Sequence, residues 1–263
     1  MKIIILADNK SLNRMPNSNK TFLEGSYEIF YSKYPKKDII IQCHFELKKH
    51  IKDLLGKNYP HINTEPAQKG TAPAVGMAVM GIYNKNKDET ITIAYSDHPV
   101  SFKNKLLQGI DDAVKFNKNL KKLILIGVNP TFPAENYGYV KIGGVLQEIG
   151  PSIAFEMVDF IEKPGRAHAE KLLQSWRYLW NTGYLVAKAS EIVDTYEKTL
   201  PGIYKGLLSI FPARGTKLEK EITETVYKSF QKTSLDKGIY EKIDRTSVAV
   251  LPVDLQIHDF SDF

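Results

Sequence analysis

Cysteine is nearly absent: Cys43 is the single thiol among 263 residues. One thiol makes no intrachain disulfide and no cysteine-based zinc site, and in a strand-like apolar run it reads as a core residue. Long hydrophobic runs are missing too, since none approaches the ~18 residues of a membrane span. The opening apolar run ends at Ala7 and is followed by Asp8, Asn9 and Lys10, too short a core for a signal peptide. The expectation is a cytoplasmic protein with no membrane partner. There is no internal repeat, low-complexity segment or Gly/Ser linker, so one domain over 1–263 is the economical reading. Nucleic-acid binding lacks a helix-turn-helix pattern, zinc-finger spacing or an RNP-like aromatic run. The histidines share no metal-ligand spacing.

What is present is ordinary for a globular chain: 43% hydrophobic and 25% charged residues. Lys and Arg outnumber Asp and Glu by 36 to 30, for a net charge of +6. A basic balance suits anionic partners, small phosphorylated ligands among them. The paired lysines at 36–37, 48–49 and 121–122 read as solvated element ends.

Hydrophobic patterning alternates strand and helix. Residues 2–7 form a continuous apolar run, as a strand buried on both faces would. Further strands are expected at 38–42, 90–95 and 122–127, with helices at 45–55 and 111–116. Such alternation implies βαβ units and an α/β fold with helices on both faces of a mixed, mostly parallel sheet. After Gly127 the pattern changes. Residues 137–142 alternate, 152–160 can pair with them antiparallel, 167–175 read as helix and 179–187 as strand. Residues 190–207 and 218–231 look helical, the first interrupted by Pro201-Gly202, and 248–255 form a last strand. Sheets of this kind bind ligands beyond the carboxyl ends of their strands. That draws attention to Asp8-Asn9-Lys10-Ser11 after Ala7, to Ser96-Asp97-His98 after Tyr95, and to Asn129-Pro130-Thr131 after Gly127.

Several segments carry more than local patterning. They are Glu65-Pro66-Ala67-Gln68-Lys69-Gly70-Thr71-Ala72-Pro73-Ala74, Ser96-Asp97-His98, Asn129 to Pro133 with Tyr137-Gly138-Tyr139, Phe160-Ile161-Glu162-Lys163-Pro164, Trp180-Asn181-Thr182-Gly183, Ser234-Leu235-Asp236 with Glu241-Lys242, and Val253-Asp254 running to Asp259. Collinear along the chain, they resemble the sugar-1-phosphate nucleotidyltransferases, and among them the mannose-1-phosphate guanylyltransferases, also called GDP-mannose pyrophosphorylases. The resemblance implies a Rossmann-like fold of the nucleotide-diphospho-sugar transferase type. It implies a reaction in which a hexose-1-phosphate attacks the α-phosphorus of a nucleoside triphosphate, most readily GTP plus mannose-1-phosphate giving GDP-mannose and pyrophosphate. It also implies a magnesium cofactor held by Asp97 and Asp259. Lys20, Arg14 and Asp97 would be catalytic. Ala7, Asp8, Asn9, Glu65, Pro66, Lys69, Thr71, Ala72 and Pro73 would bind the nucleotide. Tyr137, Gly138, Glu162, Lys163 and Asn181 would bind the sugar phosphate. Homodimerisation stays open.

The chain departs from the family pattern in places. The family opens with a strand and a loop reading roughly Gly-Gly-x-Gly-Thr-Arg-Leu-x-Pro, whose backbone amides wrap phosphates. Here 8–15 contain no glycine, Asn13 stands where Arg is expected, and Asp8 adds negative charge. Lys20 with Thr21-Phe22-Leu23 still matches the family's Lys-Gln-Phe-Leu. Ala134-Glu135-Asn136 replaces Glu-Thr-Gly, with Glu135 one candidate substitute, and Gly70 stands where Asn is common. Ile257 and Ser261 flank Asp259 in place of Trp and Gly. Three readings therefore remain: an active transferase using Lys10, Arg14 and Lys20, a transferase for another base or sugar, or a relative that binds a nucleotide-sugar as sensor or partner subunit. Relatives usually continue into a β-rich C-terminal region, and the expectation for residues 1–263 is a single nucleotidyltransferase-like domain without it.

Overall fold

The computed structural model describes residues 1–16, 18–96 and 102–255. In these, nine strands form one sheet: β1 (Lys2–Ala7), β2 (Ile39–His44), β3 (His61–Glu65), β4 (Thr90–Tyr95), β5 (Leu123–Val128), β6 (Tyr139–Ile149), β7 (Ser152–Ile161), β8 (Tyr178–Lys188) and β9 (Val248–Pro252). Their order is β3-β2-β1-β4-β8-β5-β9-β7-β6, with β6 also pairing to the start of β8. β3, β2, β1 and β4 are parallel neighbours. β8 runs antiparallel between β4 and β5, and β5 is parallel to β9. The expected α/β architecture with a mixed sheet is what the chain adopts.

The sequence of β1 explains its central place. Ile3, Ile5 and Ala7 enter the core on one face, whereas Ile4 and Leu6 enter the core on the other. Period-two alternation with apolar residues on both sides gives an uninterrupted apolar run. One face is covered by α1 (Phe22–Tyr31), α2 (Leu47–Leu55), α4 (Lys103–Leu120) and α5 (Arg166–Leu173). The other carries α3 (Thr71–Tyr83), α6 (Ala189–Thr199), α7 (Pro201–Ile210) and α8 (Glu219–Ser229).

Two elements, β3 and α3, escaped the sequence reading. β3 is a polar His-Ile-Asn-Thr-Glu edge strand whose ladder is to β2 alone. α3 is buried at nearly every position from Ala72 to Ile82, so it has no polar face and no readable 3.6-residue period. α1 is short but well started: Thr21 Oγ1 accepts from the Glu24 amide at 3.2 Å, and Glu24 Oε2 accepts from the Thr21 amide at 2.8 Å. That reciprocal capping box fixes its first turn. α4 extends well beyond the expected 111–116: exposed Lys103, Asn104 and Lys105 lead into buried Leu106, Leu107 and Ile110. The break at Pro201 is real: α6 ends at Thr199 and α7 begins on the proline.

Candidate functional site

β1, β4 and β5 run in the same direction, so their carboxyl ends share one edge. The antiparallel strands bring other segments to that edge: Val128 pairs with Trp180, Tyr139 with Trp180, and Ile161 with Tyr139. The start of β8, the start of β6 and the end of β7 therefore meet there. With them come Asn181, Gly138, Glu162 and Lys163, which are far apart in sequence.

Gly138 is the hub. Its carbonyl accepts from the Asn181 amide at 2.7 Å. A Cβ on it would lie 3.1 Å from Glu162 Oε2 and 2.8 Å from the Phe160 ring, closer than side chains tolerate, so the approach needs glycine. Glu162 has a side chain only 5% exposed, and Lys163 Nζ, 58% exposed, lies 3.3 Å from its carboxylate. Lys163 has φ +45°, a left-handed conformation uncommon for residues other than glycine. Strain of that kind concentrates at functional positions. Asn181 is held at both ends of its amide: Oδ1 accepts from Gly183 N at 3.2 Å, and Nδ2 donates to Asp236 Oδ1 at 2.9 Å. Tyr137 and Phe132 pack against Trp180, with ring centroids 5.2 and 4.5 Å away, as a floor beneath this cluster.

Asp236 was not among the residues the sequence put forward as site residues. It opens a π-type turn, Asp236–Tyr240, a feature frequent at functional sites. Burial, the largest cause, raises its pKa against the help of the Asn181 and Lys163 contacts. Glu162 is raised as well, first by burial and then by Asp236. Two partly desolvated carboxyls beside one ammonium make a group of hydrogen-bond acceptors suited to hydroxyl donors, with a cation at its rim for an anionic group. Glu135 takes a structural role instead: its Oε2 accepts from Arg166 N at 3.1 Å and starts α5.

The segment after β1 is organised differently from a glycine cradle. It forms a 3₁₀ turn over Lys10–Leu12. Asp8 N donates to Ser11 Oγ and Ser11 N to Asp8 Oδ1, each at 3.0 Å. Ser96 Oγ lies 2.7 Å from Ser11 Oγ and 2.6 Å from Leu6 O, locking the turn to the end of β4. The amides of Leu12, Asn13 and Met15 donate to Asn9 O, Lys10 O and Lys20 O. The amides of Asp8, Ser11, Leu12 and Asn13 are thus used within the segment, and that of Met15 by Lys20. The Asp8 carboxylate, expected as loose negative charge, is tied up by Ser11. Asn9 and Arg14 are exposed, and Lys20 Nζ rests 2.6 Å from Glu28 Oε2 with both side chains half exposed.

The expected nucleotide strip is partly internal. Gly70, with φ +91°, packs so closely on the 233–235 segment that a Cβ would lie 2.4 Å from Thr233 O. Ala72 N donates to Thr233 O at 3.1 Å, and Thr71 Oγ1 accepts from Leu235 N at 2.8 Å. Ala72 and Pro73 are buried, and Ala7 is 8% exposed, so their side chains offer no contact surface; Pro66 and Lys69 are half-buried. Glu65, expected at the nucleotide, turns inward. It is 6% exposed, with Oε2 among the buried unpaired atoms. Burial, the dominant cause, pushes its pKa up to about 8 against the help of Tyr227. The Tyr227 hydroxyl, the group that eases this shift, donates to Pro73 O at 3.1 Å. Glu65 is an interior acid bracing α3 and α8. Asp97 and Asp259, expected to hold magnesium, lie outside the described residues.

Against known proteins, residues 31–220 match the family model described as nucleotidyl transferase. The chain belongs to the nucleotidyl transferase family. A mannose-1-phosphate guanylyltransferase of Salmonella montevideo is 29% identical over 221 residues, 81% of this chain and 46% of that protein. The chain thus spans about half the length of the curated relatives it matches. A Thermus thermophilus structure described as a mannose-1-phosphate geranyltransferase superposes with TM-score 0.80 at 21% identity, covering 98% of this chain and 75% of that one. A Helicobacter pylori structure described as a mannose-6-phosphate isomerase gives TM-score 0.80 at 19% identity, covering 98% and 99%. These two likenesses establish the Rossmann-like nucleotidyltransferase fold; since their descriptions name different reactions, fold alone does not choose the chemistry. No helix among the described residues is long and apolar enough to cross a membrane.

Proposed function

We propose that this chain makes a nucleotide-sugar, with GTP and mannose-1-phosphate as substrates and GDP-mannose and pyrophosphate as products. The observation that carries the proposal is the convergence of Gly138, Glu162, Lys163 and Asn181 at the carboxyl edge of the sheet, in a chain that belongs to this family. A sugar-phosphate oxygen attacks the α-phosphorus, the bond to the β-phosphate oxygen breaks, and pyrophosphate leaves. No protein nucleophile is required, so catalysis is positioning and charge stabilisation. Lys163 holds the sugar phosphate, while Glu162 and Asn181 accept and donate hydrogen bonds to sugar hydroxyls. Asp236 positions the Asn181 amide, and Gly138 lets the backbone approach the ring above Tyr137. Lys20 and Arg14 supply cations to the nucleotide phosphates, alongside Asn9, Lys69 and Thr71. Magnesium, a cation that takes carboxylate and phosphate oxygens, would add charge neutralisation at Asp97 and Asp259; among the described residues no group of three or more His, Cys, Asp or Glu forms a metal cluster.

Pyrophosphate release across GTP, ATP, UTP, CTP and dTTP with several hexose-1-phosphates tests the proposal. Turnover with GTP and mannose-1-phosphate above the other pairs is the expected result. No turnover with any pair contradicts it.

A second reading, a nucleotide-sugar sensor or partner subunit, is favoured by one observation: the amides of Asp8, Ser11, Leu12, Asn13 and Met15 are engaged by the protein itself. Asp8→Gly separates the two. It removes the Asp8–Ser11 pairing at a cost of about 1 kcal/mol, as for a lost helix cap, and frees Ser11 N for phosphate. An active enzyme limited by this turn gains turnover while its denaturation midpoint falls. A sensor shows the fall in stability and GDP-mannose binding, without turnover in either form.

A further inference from the structure

The edge of the sheet opposite the carboxyl-end site also carries a cleft. Two contiguous hollows, of about 480 and 190 Å³, share Gly81, Lys85 and Arg214. They lie where β1 begins at Lys2, β3 begins at His61 and α3 ends. Their charges are not balanced. Lys2 is 2.5 Å from Asp38 and the Met1 ammonium 2.7 Å from Glu89, so these cations are matched. Lys85 and Arg214 have no ion-pair partner among the described residues. The acid that acts on Arg214 is Glu219, without forming an ion pair with it, and its Oε2 accepts from Gly215 N at 2.8 Å.

The C-terminus of α3 favours cations and accounts for a lysine just after it. It does not account for Arg214, which arrives from the turn after α7 and lies half-buried with its guanidinium 4.3 Å from the Phe211 ring. A half-desolvated guanidinium without a carboxylate is costly unless an anion completes it. Next to it stand apolar surfaces of Phe211, Pro212 and Leu208, the last 40% exposed. The combined hollow is of small-molecule size, with apolar walls and a few convergent polar groups.

We propose that this cleft is a second ligand site that takes a small organic phosphate of mononucleotide size, with its phosphate on Lys85 and Arg214 and its flat apolar body against Phe211. Neutral His61, whose pKa is lowered by burial and by Lys85, Lys48 and Arg214, supplies a hydrogen-bonding wall without further charge.

Calorimetric titration of the full chain with adenosine 5′-monophosphate tests the site. The expected result is saturable binding that Lys85→Gln and Arg214→Gln each weaken by about tenfold, the scale of one lost charge-assisted contact, and that Lys163→Ala leaves unchanged. Lys85 is exposed, so its variant keeps the test decisive even where Arg214→Gln lowers the melting temperature. Absence of binding at millimolar nucleotide overturns the proposal. So does binding that both glutamine variants leave intact, binding lost with Lys163→Ala, or inorganic phosphate binding as tightly as the nucleotide.

Discussion

Lys163→Ala lowers pyrophosphate release by about 100-fold or more, the scale of one preorganised contact to transition-state charge, while the melting temperature changes little. The asymmetry follows from what the side chain touches. Its ammonium is more than half exposed, and its ion pair is with Glu162 at 3.3 Å. Surface pairs of this kind contribute at most about 1 kcal/mol to stability. Against that small loss stands a backbone at φ +45°. Lys163→Gly sharpens the test, because glycine relieves the left-handed conformation by about 1 kcal/mol. The expected protein is slightly more stable than the parent and equally impaired in turnover. A structural lysine would give the reverse: a loss of stability with turnover retained in the folded fraction.

Glu65→Gln removes a fall in stability that the parent suffers as pH rises from about 4.5 towards 8. The folded-state pKa of Glu65 is pushed up to about 8 from an ordinary 4.5, mainly by burial. Between these values the unfolded chain has released the proton and the folded chain still holds it. Stability is therefore full below pH 4.5 and declines through the interval, levelling off above pH 8. At ~1.4 kcal/mol per pKa unit the decline is roughly 3–5 kcal/mol. Glutamine keeps the size and polarity of the protonated acid and has no charge to bury. The two proteins unfold alike at pH 5, and the variant is the more stable at pH 8.5. Urea unfolding at both pH values measures this; parallel stability curves for parent and variant would contradict an interior protonated Glu65.

Much of this molecule was legible in its sequence where one physical signal dominated. The unbroken apolar run of β1 announced a strand buried on both faces, and Pro201 announced the break between α6 and α7. α3 was hidden for the opposite reason: a helix buried all round has no polar residues to mark a period. At the site, Gly138, Glu162, Lys163 and Asn181 could be named because each sits at a strand end within a recognisable short segment. Asp236 could not be tied to them, because its contact with Asn181 spans 55 positions of chain. The packing of the nucleotide strip was not legible. Nothing local in Glu65, Ala72 or Pro73 reveals that the 233–235 segment and Tyr227 close over them. Asp8 was read as a charge facing phosphate, but a serine three residues on turns it into a cap.

The most direct test of the account is a ³¹P NMR time course of the full chain with GTP, mannose-1-phosphate and magnesium. The account predicts that pyrophosphate and the diphosphate resonances of GDP-mannose grow together in equal amounts, and that neither grows with Lys163→Ala. Release of inorganic phosphate with GDP, or unchanged substrate resonances at enzyme concentrations that bind GDP-mannose, would contradict it.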